Sequence, residues 1–149
     1  MARILIIAHA PLASSLLEVA RHVFPDCGST LAAVDVPSQL GLEEAQSLVR
    51  GALSGCADEE VLILTDVFGA TPCNAALAAA DGSRARVVAG VNVPMLWRTL
   101  CYHDKTLEDL VGRAVAGATQ GVMHVAVPRR QNQSVSASTH DQVDHHHQQ

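Results

Sequence analysis

Arg3-Ile4-Leu5-Ile6-Ile7-Ala8-His9, followed at once by Ala10-Pro11-Leu12-Ala13-Ser14-Ser15-Leu16-Leu17, decides the fold of this 149-residue chain. The first part is an apolar run of strand length with no polar residue between Arg3 and His9, as a strand covered on both faces requires. The second part reads as the opening of a helix. A strand that hands over directly to a helix is the start of a βα unit, and His9 falls at the carboxyl end of that strand. Open α/β sheets bind their ligands at that end. The helix N-terminus there is electropositive and carries unpaired N–H groups, which suits a phosphate.

The same alternation continues outward. Ser29 to Val36 (STLAAVDV) reads as a second strand, and Leu42, Ala45, Leu48, Val49 and Ala52 then recur at helical spacing. Val61-Leu62-Ile63-Leu64-Thr65 is a third strand, apolar throughout. Thr71 to Ala80 forms a short Ala-rich helix with Pro72 in its first turn, where proline fits. Arg86 to Gly90 is a fourth strand, followed by Asn92-Val93-Pro94 and a helix through Leu100. Thr106 caps a last helix, with Asp109 placed to complete a capping box and Gly121 ending it. Val122 to Val127 reads as a final strand. The expected fold class is α/β: a three-layer α/β/α sandwich around a mostly parallel sheet of order 2-1-3-4, with a C-terminal edge strand. The domain is expected to span residues 1–128. From Arg129 to Gln149 the chain turns to Gln, Ser, His and Asp, with little to bury, and reads as a disordered polar tail. His140 and His145-His146-His147 in that tail read as solvated residues rather than as a metal site.

Composition narrows the function classes. At 48% hydrophobic residues the chain can bury a core of one domain's size. A net charge of −5, with no stretch that gathers Lys and Arg, argues against a nucleic-acid face. The four cysteines (Cys27, Cys56, Cys73 and Cys101) form no CxxC pair and read as reduced thiols. The first apolar run is about five residues, shorter than the roughly seven to fifteen of an export signal. No segment reaches the roughly eighteen consecutive apolar residues of a membrane span. These features lead to the expectation of a cytoplasmic protein without direct membrane insertion.

With strands one and three adjacent, His9 and Asp66 emerge side by side although they are far apart in sequence. An imidazole is a good phosphoryl nucleophile near neutral pH. A carboxylate bonded to one ring nitrogen fixes the tautomer, frees the other nitrogen and stabilises the ring once it is cationic. Asp66 opens the stretch Asp66-Val67-Phe68-Gly69-Ala70-Thr71-Pro72-Cys73-Asn74, a small loop running into a helix N-terminus. Ala10, Gly69, Ala70 and Thr71 form the expected phosphate cradle, with Phe68 and Asn92 bordering it. Neither a metal nor any other cofactor is implied. Each residue also has a plain structural reading. A lone histidine at a strand end is usually structural, Thr71 suits a helix cap and Asn92 suits a turn. The coincidence of the three motifs carries the functional reading. Cys73 lacks the downstream arginine that a phosphatase-type thiolate needs, since Ala79 stands there. His22, His103 and His124 read as fillers without partners.

Three segments carry a family resemblance: the first strand with Ala8-His9-Ala10; Thr65-Asp66-Val67-Phe68-Gly69-Ala70-Thr71-Pro72-Cys73-Asn74-Ala75-Ala76; and Val88-Ala89-Gly90-Val91-Asn92-Val93-Pro94-Met95-Leu96. They resemble the enzyme IIA component of the mannose/fructose/sorbose class of the bacterial phosphoenolpyruvate-dependent sugar phosphotransferase system (PTS). The family's pattern is a histidine with a following glycine, D-x-x-G-G-[ST]-P-x-N-A, and A-G-x-N-x-P-M, in register over about residues 1–127. The resemblance implies that His9 is phosphorylated by the phosphocarrier protein HPr, that Asp66 orients it, and that the group passes to an enzyme IIB; the departures from the family pattern fit a regulatory protein as acceptor equally well. It also implies a homodimer whose last strand is exchanged between subunits. Ala10 and Ala70 stand where the family has glycine, so a methyl group would narrow the cradle if the backbone there needs positive φ. Val67 replaces a residue that is often polar.

Three other readings compete. A non-transport regulatory phosphoprotein would use the same histidine to bind partners according to its phosphorylation state. A response-regulator receiver would accept phosphate on Asp66, but it needs acidic residues after the first strand to hold magnesium, and Ala8-His9-Ala10 offers none. A flavin module needs a hydroxyl-rich loop at Pro11-Leu12 and aromatics to stack on the ring, and only 3% of the residues are aromatic.

Overall fold

The computed structural model describes residues 1–130. Its elements follow the alternation: β1 (Arg3–His9), α1 (Leu12–Val23), β2 (Leu31–Val36), α2 (Leu42–Ser54), β3 (Val61–Thr65), α3 (Thr71–Ala79), β4 (Ala85–Ala89), α4 (Val93–Cys101) and α5 (Leu107–Gln120). The sheet is wholly parallel, in order β2-β1-β3-β4. Ile7 of β1 lies between Val34 of β2 and Thr65 of β3, so the carboxyl ends of β1 and β3 finish together. The chain leaves β1 in one direction toward β2 and returns past it to β3, which makes the β1–β3 boundary the switch point of the sheet.

Side-chain alternation along each strand builds two cores. Ile4, Ile6, Ala8, Leu62, Leu64 and Val88 pack on one face against α1, α4 and α5 through residues such as Leu16, Leu96 and Leu110. Leu5, Ile7, Val61 and Ile63 pack on the other against Ala45 and Val49 of α2 and Ala75 and Ala76 of α3. Both faces of β1 and β3 are thus dry, which is why these strands are unbroken apolar runs.

Two expectations need correction. The second strand begins at Leu31 rather than Ser29, because Pro25–Ser29 closes into a 3-10 turn with Cys27 buried and Thr30 N–H bonded to the Cys27 carbonyl. The final strand over 122–127 does not form among the described residues of the single chain. Val122, Met123, Val125 and Val127 are 68–87% exposed. A strand exists only through a neighbour's hydrogen bonds, and after Gly121 the chain leaves the body without meeting one. The tail expected over 129–149 lies almost entirely outside the described residues; Arg129 and Arg130 are exposed and irregular.

Gly121 does close α5, but not for conformational reasons. Its φ is −78°, open to any residue. The cause is proximity, since a Cβ there would overlap Cβ and Cγ of Pro94 at the start of α4. One turn earlier, a Cβ on Gly117 would meet Cβ of Arg98 at 2.7 Å. Two glycines therefore let α5 lie directly on α4. Gly121→Ala is expected to destabilise the domain by about 1–3 kcal/mol, the usual cost of overpacking, read as a lower urea midpoint with an unchanged slope. An unshifted midpoint would show that α4 yields freely.

The turn into β4 rests on one carboxylate. Asp81 Oδ1 accepts the backbone N–H groups of Ala85, Arg84 and Ser83 at 2.8–3.0 Å. These donors, with Ala85 contributing most, hold the Asp81 carboxyl down at about 2 against an ordinary value of 3.8. A lowered folded pKa means stability that is complete above 3.8 and lost as pH falls through about 2. Asp81→Ala should therefore unfold at lower urea than the parent at neutral pH, with the gap closing between those two values. A gap independent of pH would contradict the assignment.

Candidate functional site

At the switch point His9 and Asp66 meet. Asp66 Oδ2 accepts the backbone N–H of His9 at 2.9 Å and lies 2.5 Å from His9 Nδ1. Asp66 Oδ1 accepts the Val67 N–H at 2.9 Å. The aspartate side chain is 11% exposed and the histidine side chain 48%. Burial pushes the Asp66 carboxyl upward, but the His9 backbone N–H, the His9 ring, the Val67 N–H and the His9 charge together outweigh it. The net result lies below 3.8. Asp66 is therefore a carboxylate at neutral pH. Opposite a carboxylate, Nδ1 carries the ring proton and donates it, which leaves the Nε2 lone pair free.

The β4–α4 turn fixes Asp66 from behind. Gly90, at φ +90°, directs its N–H to the Asp66 carbonyl at 3.1 Å, and Val91 N–H reaches the Thr65 carbonyl at 2.9 Å. Only glycine enters that backbone region without strain. Asn92 Oδ1 caps α4 through the Met95 N–H at 2.9 Å, while Nδ2 donates to the Ala118 carbonyl at 3.3 Å. Both ends of the Asn92 amide are engaged, so its place at the border is that of a brace.

The β3–α3 loop passes beside the dyad. Gly69 has φ +87°, whereas Ala70, the N-cap of α3, sits at φ −88° and ψ 166°. The methyl group of Ala70 is thus accommodated without strain where the family has glycine. Thr71 is the first residue of α3 rather than its cap, and no side chain caps this helix. Among the described residues, the N–H groups of Phe68, Gly69, Ala70, Thr71 and Cys73 have no protein acceptor. Ala10 differs, because its N–H is bonded to the Val36 carbonyl at 3.0 Å, so the backbone donor expected there is already engaged. Val67 and Phe68 stand 51% and 78% exposed at the rim.

Two residues that sequence reasoning passed over also shape the site. Asn74 Nδ2 donates to the Gly69 carbonyl at 3.2 Å and holds the loop in its turn. The motif itself pointed to Asn74, since an amide one turn into a helix can reach back to the preceding loop. Asp35 Oδ1 accepts the Ser14 N–H of α1 at 3.1 Å. Its signal was a lone acid in the otherwise apolar strand Leu31–Val36.

An open parallel α/β sheet with a solvent-facing histidine, held by a carboxylate at the switch point, defines a class of domain in which one ring nitrogen is left without a protein partner. The sequence places the chain within that class, since it matches the family of PTS system fructose IIA components (EIIA-man) over residues 3–115. This chain belongs to that mannose/fructose/sorbose-class enzyme IIA family. It is 32% identical over 123 residues to the PTS system fructose-specific EIIA component of Bacillus subtilis (strain 168), covering 80% of this chain and 84% of the relative. It is 42% identical over 65 residues to the mannose-specific EIIAB component of Escherichia coli (strain K12), 42% of this chain and 20% of that protein. Among solved structures, the mannose/sorbose-specific IIA subunit from Enterococcus faecalis superposes with a TM-score of 0.79 at 22% identity, covering 86% of this chain and 97% of that one. An EIIA from Streptococcus agalactiae gives 0.73 at 20% identity, covering 83% and 97%. These structures share the fold. The family supports a phosphocarrier role in sugar phosphotransfer.

Proposed function

We propose that the protein carries a phosphoryl group on Nε2 of His9, receiving it from the phosphocarrier HPr and passing it to an enzyme IIB or a regulatory protein. The observation that carries this reading is the 2.5 Å contact between His9 Nδ1 and Asp66 Oδ2, with the ring otherwise open to solvent. The Nε2 lone pair attacks the phosphorus of the donor's phosphohistidine. A P–N bond forms to His9 as the donor's P–N bond breaks, and the electron pair returns to the donor ring. No proton leaves His9 in this step. The ring becomes cationic and keeps its Nδ1 proton on the Asp66 carboxylate, which offsets the new charge. The N–H groups of Gly69, Ala70 and Thr71 are the expected contacts for the phosphoryl oxygens.

The openness of the site favours a protein donor over a small metabolite. A cavity of about 420 Å³, lined by Phe24, Cys27, Thr30, Leu100 and His103 among others, lies at the opposite end of the sheet. The receiver alternative is disfavoured by geometry, because both Asp66 oxygens are already engaged by N–H donors and the side chain is nearly buried. A cytoplasmic location fits this reading. No described helix is long and apolar enough to cross a membrane.

Assembly belongs to the same proposal. The exposed apolar segment 122–127 is read as an edge strand completed by a second copy, giving a homodimer. Sedimentation of the full chain should give twice the monomer mass, and a chain cut after Gly121 should run as a monomer. Equal masses for the two would refute the exchanged strand. The carrier reading itself is tested by incubating the protein with labelled phosphoenolpyruvate, enzyme I and HPr. Acid-labile label approaching one phosphate per chain supports it, and absence of label refutes it.

A further inference from the structure

Two helices begin beside His9, at the carboxyl ends of neighbouring strands, and their amino ends are treated differently. α3 follows β3 with Ala70 as its N-cap and no side-chain cap. α1 follows β1 with Pro11 as its N-cap and no cap of its own. Its third N–H, that of Ser14, is nevertheless taken by Asp35 Oδ1 at 3.1 Å, from a different element. The Ser15 N–H bonds the Pro11 carbonyl, and the hydroxyls of Ser14 and Ser15 both donate to that same carbonyl at 3.1 and 2.8 Å. At α1 a carboxylate thus holds the Ser14 N–H, while those of Leu12 and Ala13 have no protein acceptor among the described residues; at α3 neither the Thr71 nor the Cys73 N–H is held.

We infer that Asp35 is a positioning residue for phosphoryl transfer, whose carboxylate occupies the amino end of α1 and directs the phosphoryl oxygens to the α3 loop. The inference rests on the reading of His9 as the acceptor. Asp35 pairs with Ala8 in the sheet, one residue before His9, so its charge stands on the strand beside the histidine. A helix N-terminus carries about half a positive charge and attracts any anion within its first turn. With two such ends flanking one imidazole, a phosphoryl group has two competing seats. The α3 terminus follows β3, the strand that ends before Asp66, and the α1 terminus follows β1, the strand that ends at His9 itself. A carboxylate already bonded at α1 removes that end's attraction and repels a second anion. This also gives a reason for an acid in β2, whose other residues are apolar and whose Asp35 is only part-exposed.

The test uses the full chain, inorganic phosphate as probe, and backbone amide NMR as the readout. In the parent, phosphate should shift the amides of Gly69, Thr71 and Cys73 and leave Leu12 and Ala13 unmoved. In Asp35→Asn, which keeps an oxygen for the Ser14 N–H but loses the charge, Leu12 and Ala13 should move as well. Phosphate affinity should rise by about fivefold, the scale of one charge at a helix end. Thermal melting monitors the fold, and a purely structural role would move the melt without moving the set of perturbed amides. An unchanged amide set and affinity in Asp35→Asn would overturn the inference, as would parent shifts centred on Leu12 and Ala13. Failure of this inference and of the carrier reading are separable. If HPr labels His9 but the Asn variant binds phosphate as the parent does, Asp35 has no such role and the carrier stands. If nothing labels His9 yet the amide set switches, the carrier reading falls and the role of Asp35 at the helix end stands.

Discussion

His9→Ala is expected to take up no acid-labile phosphate when incubated with phosphoenolpyruvate, enzyme I and HPr, while keeping the parent's fold. The loss should be total because, among the described residues, no second nucleophile is positioned at the site. Cys73 is buried beneath the loop, the Thr71 hydroxyl lacks an adjacent base, and both Asp66 oxygens accept N–H bonds. The fold should survive because the His9 ring is 48% exposed and packs little surface. The backbone N–H that joins β1 to Asp66 is present in alanine too. Circular dichroism and the urea midpoint check the fold, and label retained by a folded His9→Ala protein would remove the histidine from the mechanism.

Asp66→Asn is expected to keep the fold and slow phosphoryl transfer by roughly 10²–10⁴-fold, the scale seen when a tautomer-fixing carboxylate becomes an amide. The reason is geometric. Asp66 accepts three N–H donors, two on Oδ2 and one on Oδ1. An amide cannot satisfy all three. If its oxygen faces His9, its NH₂ meets the Val67 N–H. If its NH₂ faces His9, it donates to Nδ1, places the ring proton on Nε2 and removes the attacking lone pair. Either way the charge that stabilises the cationic ring is gone. Rapid-quench measurement of transfer from phosphorylated HPr decides the matter, and a rate equal to the parent's would exclude an orienting role. The variant also changes acid stability in a defined direction. The folded pKa of Asp66 lies below 3.8, so its contribution is complete above that value and lost as pH falls through the lowered one. The stability gap between parent and variant should close on acidification.

Much of this arrangement could be read from residue order because it follows from strand chemistry. The unbroken apolar run Val61–Thr65 gives β3 with both its ends, and the helical spacing from Leu42 gives the start of α2. Strand order then places Asp66 beside His9, although 57 residues separate them. Other residues act through contacts that periodicity does not encode. Asp35 caps a helix from another strand, and Asp81 gathers three N–H groups around a turn. Gly121 ends α5 as its residue type suggests, and the constraint behind it is Pro94 lying against it, since its φ of −78° is open to any residue. The substitution of Ala70 for glycine was an open question that φ −88° resolves. Ala10 shows the reverse limit, since its residue type said nothing about the Val36 carbonyl waiting for its N–H. The segment 122–127 has strand character, yet in the single chain it pairs with neither open edge of the sheet, β2 or β4.

The most direct test of the account is to phosphorylate the full chain with HPr and locate the phosphoryl group by ³¹P and ¹⁵N NMR of the histidine rings. The geometry predicts a single phosphohistidine, on Nε2 of His9, with Nδ1 still protonated and bonded to Asp66. Phosphate on Nδ1 of His9, on Asp66, or on any other residue would contradict it.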